Sequence, residues 1–144
     1  MRITAGPLTD LTPLQVHQLY KLRVDVFVHE QQCTYAEIDD TDALPTTVHL
    51  CAWAESGELL GTARLFPVGE VRQFGRFCLV PAARGTGLAR QIMEKALRLG
   101  ADLPMVLDAQ APLVGYYEGY GFRPVGELFD DAGIPHQPMR RENR

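Results

Sequence analysis

The sequence predicts one α/β domain built on a mixed, mostly antiparallel sheet, and three observations support this prediction. A short apolar run, Phe77–Val80, leads into a glycine-rich turn and then into an amphipathic helix over 88–99. Strand-like segments both precede and follow that unit, so the strand, turn and helix are expected to belong to a sheet. The chain has 144 residues, which is the size of a single domain with one core.

Composition limits the functional classes. Apolar residues make up 46% of the chain and charged residues 22%, as in ordinary soluble globular proteins. No apolar run is long enough to cross a membrane, and Met1–Gln15 lacks the apolar core of a secretory signal. The cysteines form no CxxC pair, which is typical of reduced cytoplasmic thiols. A net charge of −4 argues against a nucleic-acid surface. We therefore expect a cytoplasmic protein without membrane or nucleic-acid partners.

The N-terminal third predicts an edge strand, a helix and a long loop. Ile3–Ala5 suits a short edge strand. Thr12 and Gln15 form a capping box around a proline that suits the first helical position, and the apolar pattern continues to near Val28. The range 29–47 is polar, acidic and without a sustained period, so we expect a loop with room for a short helical turn.

The middle of the chain predicts three antiparallel strands joined by tight turns. Their predicted bounds are Val48–Ala54, Leu59–Pro67 and Val71–Val80. The third strand contains Gly75, and a glycine inside a strand often marks a β-bulge or a close backbone approach.

The C-terminal part predicts a parallel strand followed by shorter elements. Gly100 should end the amphipathic helix, and Met105–Ala109 is a strand of the buried type. A strand–helix–strand connection implies that this strand runs parallel to the one before the helix. The remaining predicted elements are a helix at Leu113–Tyr120, strands at Phe122–Val125, Leu128–Phe129 and Ile134–Met139, and a turn at Asp130–Gly133. The charged tail from Arg140 onward is expected to fray.

The glycine-rich turn has the chemistry of a phosphate site. Gly85 and Gly87 allow unusual backbone angles and a close approach of ligand to backbone. The first amides of the following helix have no intrahelical acceptor, and the helix dipole adds partial positive charge. A phosphate or pyrophosphate satisfies both, and Arg84 adds a full charge. The turn lacks the Lys-Ser/Thr ending of an NTPase P-loop and the GxGxxG of a dinucleotide fold.

Two motifs in the right order resemble the GNAT acetyltransferase superfamily. Arg84-Gly85-Thr86-Gly87-Leu88-Ala89 is similar to that family's coenzyme A pyrophosphate loop, Arg/Gln-x-x-Gly-x-Gly/Ala. Tyr116–Phe122 is similar to its Phe-Tyr-x-x-x-Gly-Phe signature. The order of elements resembles the family over most of the chain. Three further stretches resemble the ElaA-like branch, a set of small bacterial proteins with poorly defined substrates: Phe27–Asp39, Ala109–Ala111 and Gly133–His136.

This resemblance implies a fold and a co-substrate. The fold would be the GNAT fold, an α/β (α+β) domain over 1–144 with helices on both sheet faces and a splayed parallel strand pair that holds the cofactor. Acetyl-CoA would be the co-substrate, and no metal is implied. Its pantetheine arm would lie along Phe77–Val80, with the amide of Leu79 or Val80 toward the thioester carbonyl, and Gln110 would reach the pantetheine amides. The pyrophosphate would bind at Arg84, Gly85, Thr86, Gly87, Leu88 and Ala89.

The resemblance also implies catalytic roles. Tyr117 holds the family's tyrosine position and is the candidate acid for the leaving thiolate, because an unperturbed phenol has a higher pKa than a thiol. We expect Tyr117 to face the cleft and Tyr116 to face the core. A primary amine is only about one part in a thousand neutral at pH 7, so a base or a desolvating pocket helps. The candidates for that base are His136, whose side-chain type titrates in the useful range, and Glu30, Glu37, Asp39 and Asp108.

The acidic loop has two interpretations. Glu30, Glu37 and Asp39 can form a wall that binds an amine substrate, or the loop can be a solvated acidic surface. Cys78 as an acyl carrier is disfavoured, because strand cysteines usually pack in cores. His29 and Cys33 as a zinc site are disfavoured, because two ligands do not make one.

Together these features predict an N-acetyltransferase that moves an acetyl group directly from acetyl-CoA to an unidentified primary amine, on a small molecule or a peptide. The alternative is a non-catalytic acyl-CoA-binding module that acts as a sensor or a partner protein. A homodimer is left open, because many members of the family dimerise.

Overall fold

The computed structural model describes residues 1–143, which fold around one mixed sheet of eight strands. The strands are β1 Arg2–Gly6, β2 Val48–Trp53, β3 Leu59–Val68, β4 Val71–Leu79, β5 Met105–Gln110, β6 Arg123–Pro124, β7 Phe129–Asp131 and β8 Ile134–Arg141. Their order is β1-β2-β3-β4-β5-β8-β6, and β7 pairs with β8. Every neighbouring pair is antiparallel except β4 and β5, which run parallel. The predicted mixed, mostly antiparallel sheet is confirmed.

Three α-helices accompany the sheet: α1 Pro13–Arg23, α2 Leu88–Leu99 and α3 Val114–Glu118. α1 continues as a π-helical segment, Val24–Glu30. Short 3-10 turns lie at Leu8–Asp10, Asp40–Ala43, Pro81–Ala83 and Ala111–Leu113. No helix within residues 1–143 is long and apolar enough to span a membrane.

Local sequence signals account for the two longer helices. The Thr12 side chain accepts a hydrogen bond from Gln15 N, and the Gln15 side chain accepts one from Thr12 N, so the predicted capping box is present. α2 has the predicted bounds, and Gly100 follows its last residue as the C-cap. The buried face of α2 consists of Leu88, Ile92, Met93 and Ala96.

Different helices cover the two faces of the sheet. One apolar cluster joins α2 and α3 to the sheet, and a second joins α1 and its π-helical continuation to it. Within β2 the side chains alternate between them: Leu50 and Ala52 belong to the first cluster, and Cys51 and Trp53 to the second. This alternation follows from the two-residue period of a strand.

β4 and β5 separate after a short contact. They pair only at Arg72–Met105 and Gln73–Val106, although β4 continues to Leu79 and β5 to Gln110. The result is a gap between two strands that run in the same direction.

A β-bulge lies where the two strands part. Thr62 of β3 pairs with Cys78, whereas Arg64 pairs with Gly75, so β4 holds one extra residue in this interval. Arg76, inside the bulge, has a φ of 50°, a left-handed conformation that is uncommon for a non-glycine residue. The irregularity predicted at Gly75 is therefore confirmed, and bulges bend the strand that contains them.

The C-terminal residues are more ordered than predicted. Instead of fraying at Arg140, β8 runs to Arg141, because its backbone pairs with Met105 and Val106 of β5. The Arg141 side chain also donates to the Tyr120 carbonyl at 2.8 Å. The predicted helix at Leu113–Tyr120 is shorter, with only Val114–Glu118 in α-helical form. Arg144 lies outside the described residues.

Buried ion pairs hold the acidic loop against the sheet. Arg23, which is 1% exposed, donates to Glu37 Oε2 at 2.8 Å and to Asp42 Oδ1 at 2.7 Å. Arg64 of β3 donates to Asp39 Oδ1 at 2.8 Å and to Asp42 Oδ1 at 3.0 Å. The loop is thus an ordered and internally neutralised part of the domain, not a solvated acidic surface.

Arg23→Met tests this network. Methionine keeps much of the apolar volume but leaves the buried carboxylates of Glu37 and Asp42 without their main partner. Breaking a buried ion pair in this way costs about 3–5 kcal/mol, and we expect urea unfolding to show a loss of that size. Lys21→Met is the matched control, because Lys21 pairs with Asp25 on the exposed surface, where a pair contributes at most about 1 kcal/mol. Equal unfolding free energies for the two variants would contradict the role of the network.

Candidate functional site

The gap between β4 and β5 opens into two cavities, which meet at Tyr117. We call the larger, of about 340 Å³, the front cavity, and the smaller, of about 100 Å³, the rear cavity. The residues that line both are Gln31, Phe77, Leu113 and Tyr117. The front cavity is otherwise lined by Val26, Glu30, Cys78, Leu79, Arg84, Ala89 and Tyr116. The rear cavity is otherwise lined by Phe74, Gly75, Arg76, Leu107, Asp108, Gln110 and His136.

The glycine-rich turn leaves backbone amides free beside the front cavity. Gly85 and Gly87 have φ values of 78° and 88°, which favour glycine. Gly87 is the N-cap of α2, and no side chain caps this helix. Within residues 1–143, the amides of Leu88, Ala89 and Arg90 find no acceptor. A Cβ on either glycine would meet no atom within 4 Å, so the turn faces open space. Such a helix end favours an anionic ligand.

Arg84 brings a full positive charge to this turn, and Glu30 pairs with it. The guanidinium donates to the two carboxylate oxygens of Glu30 at 2.9 and 2.8 Å, and to the Leu79 carbonyl at 3.3 Å. The hydrogen bonds from Arg84 lower the pKa of the Glu30 carboxyl. Glu30 lines the front cavity and not the rear one.

Gln31, the next residue, binds the opposite strand. Its Oε1 accepts a hydrogen bond from Gln110 Nε2, at the end of β5, at 2.8 Å. Two consecutive residues at the end of the π-helical segment thus reach across the mouth of the gap, Glu30 to the turn after β4 and Gln31 to β5. Such π-helical segments are rare and occur frequently at functional sites.

Only one of the two amides predicted to face a thioester carbonyl is free to do so. Val80 N donates to the Leu60 carbonyl at 2.9 Å, so the pairing with β3 uses this group and Leu79 remains of the two predicted alternatives. Successive residues of a strand point their backbone groups to opposite sides, so the Leu79 amide points into the gap. The Leu79 carbonyl on the same side accepts from Arg84, in agreement with this direction.

Tyr117 separates the front and rear cavities. It is 8% exposed, and burial raises its pKa to about 12, so the phenol keeps its proton at neutral pH and can donate it. Its ring packs edge-on against Phe122. The prediction that Tyr116 faces the core is wrong. Tyr116 is 39% exposed, because it lines the open front cavity and packs edge-on against Tyr120.

His136 lies on β8, opposite Gln110 of β5 in the register, and is 7% exposed. Its Nδ1 is 2.8 Å from the Ile134 carbonyl oxygen. A carbonyl can only accept, so Nδ1 carries the proton in the neutral ring and Nε2 keeps its lone pair. Within residues 1–143 Nε2 has no partner. The ring also stacks on Phe129. An unprotonated nitrogen at the rear cavity has the chemistry of a proton acceptor.

Asp108 is the acidic residue that lines the rear cavity. It alternates along β5 with buried Leu107 and Ala109, so its side chain lies on the opposite face of the strand. Partial withdrawal from water raises the pKa of its carboxyl; His136 opposes this shift and Asp131 adds to it. The two-residue period of β5 is the sequence signal that places Asp108 on the opposite face from Leu107 and Ala109. This period carries no information on the proximity of His136 to Asp108.

The structure does not bring the other predicted acidic residues to the site. Glu37 is 5% exposed and bound by Arg23 and Arg76, and Asp39 is bound by Arg64. Neither residue lines the front or the rear cavity. Their charges are compensated within the fold, so the geometry gives them a structural role.

Cys78 lines the front cavity but is a poor nucleophile. Burial raises the pKa of its thiol to about 12, so it stays protonated at neutral pH. The residues described, 1–143, also contain no group of three His, Cys, Asp or Glu side chains that could hold a metal ion.

Residues 8–143 match the acetyltransferase (GNAT) domain family, which is nearly the whole chain. The chain belongs to the GNAT acetyltransferase family. Members of this family use acyl-CoA as donor, so the chain is an N-acetyltransferase of the GNAT type. The predicted fold, with helices on both faces and one parallel pair, is confirmed.

Several relatives are similar over most of their length. A UPF0039 protein of Mycobacterium tuberculosis is 42% identical over 136 residues, covering 92% of this chain and 87% of that protein. The crystal structure of Escherichia coli ElaA superimposes with a TM-score of 0.90 at 34% identity, over 98% of this chain and 99% of that one. An acyl-CoA N-acyltransferase from Pseudomonas aeruginosa superimposes with a TM-score of 0.89 at 41% identity, over 97% and 98%. The predicted similarity to the ElaA-like branch of the GNAT family is confirmed.

The burial of the cysteines predicts slow thiol chemistry. Cys33, Cys51 and Cys78 are all free and buried. We expect the native protein to react with a disulfide reagent at least about tenfold more slowly than the urea-unfolded chain, because access and thiolate character both fall on burial. Absorbance of the released thiol measures the rate. A fast native phase that disappears in Cys78→Ala would show instead that the cavity thiol is accessible and reactive.

Proposed function

We propose that this protein is an acetyl-CoA-dependent N-acetyltransferase that transfers the acetyl group directly to a primary amine. The observation that supports this most is the continuity of the front cavity. It begins beside the free amides at the start of α2, follows β4 past Leu79, and ends at the protonated phenol of Tyr117. A thioester that carries a diphosphate at its far end is complementary to both ends of this cavity.

The donor binds along β4 in this proposal. Its diphosphate accepts from the amides of Leu88 and Ala89 and from Arg84, which combine a helix N-terminus with a forked cationic donor. The pantetheine arm lies along Phe77–Leu79. Gln110, whose side-chain amide lies at the end of β5, is a further polar partner for this arm.

The transfer needs one base and one acid on either side of the thioester. His136 Nε2 takes a proton from the acceptor nitrogen, and the neutral amine attacks the carbonyl carbon. The Leu79 amide stabilises the oxyanion that develops. The C–S bond then breaks and Tyr117 donates its proton to the leaving sulfur, while the nitrogen loses its second proton to solvent and becomes the amide of the product. Proton exchange with solvent returns His136 and Tyr117 to their starting states.

We further propose that the enzyme acts in the cytoplasm. Its three cysteines are all free, as is typical of proteins in a reducing compartment.

Donor binding and turnover together test the proposed activity. Acetyl-CoA at about one hundred times its dissociation constant should stabilise the fold by about 2.7 kcal/mol and raise the Tm. Arg84→Ala should weaken donor binding about tenfold, whereas Arg98→Ala, on the exposed last turn of α2, should leave it unchanged. Release of coenzyme A thiol with a panel of primary amines measures turnover. Binding without thiol release from any amine would favour a non-catalytic acyl-CoA-binding module, and absence of binding would refute both.

Tyr117→Phe tests the acid. Phenylalanine keeps the ring that packs on Phe122 but removes the proton donor, so kcat with an amine found in the panel should fall about 100-fold. The dissociation constant of acetyl-CoA should change little. Tyr116→Phe is the matched control, because this neighbouring phenol also lines the front cavity, and its kcat should stay within about twofold of wild type. Wild-type turnover by Tyr117→Phe would remove Tyr117 from the mechanism.

A further inference from the structure

The rear cavity is the remaining approach to Tyr117. In the proposed function, on which this inference rests, the donor fills the front cavity, so the acceptor amine must arrive through the rear one. The two cavities share four residues, yet their charged linings differ: Arg84 and Glu30 belong to the front cavity, and Arg76, Asp108 and His136 to the rear. The charges of the rear cavity therefore select the acceptor.

Asp108 is the one carboxylate of this lining. The buried carboxylates of Glu37 and Asp42 have Arg23 as a partner, whereas Asp108 occupies an exposed position of β5. Within residues 1–143 the Asp108 carboxylate has no ion pair and no hydrogen bond. Asp131 of β7 disfavours the charge of this carboxylate and His136 favours it, so the histidine is the side chain of this lining that offsets the charge of Asp108.

His136 is a second, independent feature that indicates a ligand. It is more than nine-tenths buried, its Nδ1 is bound to the Ile134 carbonyl, and its Nε2 lines the cavity without a partner. Although the residue is buried, this nitrogen is not among the enclosed unpaired polar atoms, so a ligand can reach it. An N–H donor on the acceptor satisfies it.

Arg76 does not offer a site for an acidic group. Its guanidinium donates to the carbonyls of Ala36 and Glu37 at 3.2 and 3.1 Å, and two carboxylates, of Glu37 and Asp39, lie at 3.1 and 3.7 Å. The central carbon of the Arg76 guanidinium lies 5.0 Å from the centre of the Tyr35 ring. The positive charge of Arg76 is thus already compensated, whereas within residues 1–143 Asp108 has no arginine or lysine partner.

The rear cavity is also narrow, at about 100 Å³ against about 340 Å³ for the front one. Phe74, Phe77 and Leu113 add apolar side chains to its lining. This lining suits methylene groups next to the reacting nitrogen.

We propose that Asp108 binds the ammonium group of the acceptor, and that the acceptor is a primary alkylamine with no carboxylate on the carbon next to the reacting nitrogen. A carboxylate there would meet Asp108 with like charge and find no free cation in the lining. His136 Nε2 then accepts the proton that the bound ammonium must lose. Lysine side chains and free alkyl diamines share this chemistry, whereas α-amino acids do not.

A matched pair of amines tests the proposal. The probes are n-propylamine and 2-aminobutyrate, which differ by one carboxylate beside the nitrogen. We expect n-propylamine to shift the NMR signals of the His136 ring, identified with His136→Asn, and 2-aminobutyrate to leave them unchanged. Asp108→Asn should weaken n-propylamine binding at least about tenfold and leave the dissociation constant of acetyl-CoA unchanged.

Asp130→Asn is the matched control, because it removes the same charge from an exposed position of β7 that does not line the cavity. It should change amine binding less than about twofold. Equal binding of the two probes, or wild-type binding by Asp108→Asn, overturns the proposal. A fall in kcat without weaker amine binding in Asp108→Asn also overturns it, because the residue would then act as a base.

The binding readout keeps this proposal separate from the proposed function. If n-propylamine binds in an Asp108-dependent way but no amine releases coenzyme A thiol, the acceptor site is supported and the catalytic function fails. If thiol is released but binding does not depend on Asp108, the function stands and the acceptor site fails. Comparing kcat/KM for cadaverine with that for an Nα-acetyl-lysine amide distinguishes a free diamine from a lysine side chain as the source.

Discussion

The separation of β4 from β5 is the constraint on which the rest of the site depends. The two strands pair at only two positions and then run on independently to Leu79 and Gln110. Backbone groups in the middle of a sheet are normally paired, because an unpaired buried amide is costly. The gap therefore leaves backbone groups, among them the Leu79 amide, that a ligand can satisfy. The front and rear cavities and the position of Tyr117 between them follow from this one irregularity.

The surrounding structure keeps the gap open. The β-bulge at Arg76 breaks the regular pairing of β4, and the Arg76 side chain binds the acidic loop behind it. On the other side, the π-helical end of α1 places Glu30 and Gln31 across the mouth, where they bind Arg84 and Gln110. Most of the acidic residues of this loop pair with arginines of the same chain. The loop therefore contributes to the site through its position more than through its charge.

Charge is divided between the two openings. At the front, helix amides and Arg84 favour an anion, and Glu30 is the internal partner of Arg84. At the rear, Asp108 and the free nitrogen of His136 favour a cation or an N–H donor. Under the proposed function, this division keeps an anionic donor and a cationic acceptor at separate openings. The local charges at the two openings are arranged independently of the net charge of the chain, which is −4.

The sequence by itself determined the elements whose signals are local. The capping box of Thr12 and Gln15, the apolar face of α2, the positive-φ glycines of the turn and the bulge beside Gly75 are set by residues close together in the chain. Only the tertiary structure decided which side chains from distant parts of the chain contact one another. Four features depend on partners that are distant in sequence. Arg23 is buried between Glu37 and Asp42, and the Val80 amide donates to Leu60. Tyr116 is exposed, and β8 continues to Arg141. The physical reason is that burial and pairing energies of these groups come from non-local contacts, which no local pattern of residues encodes.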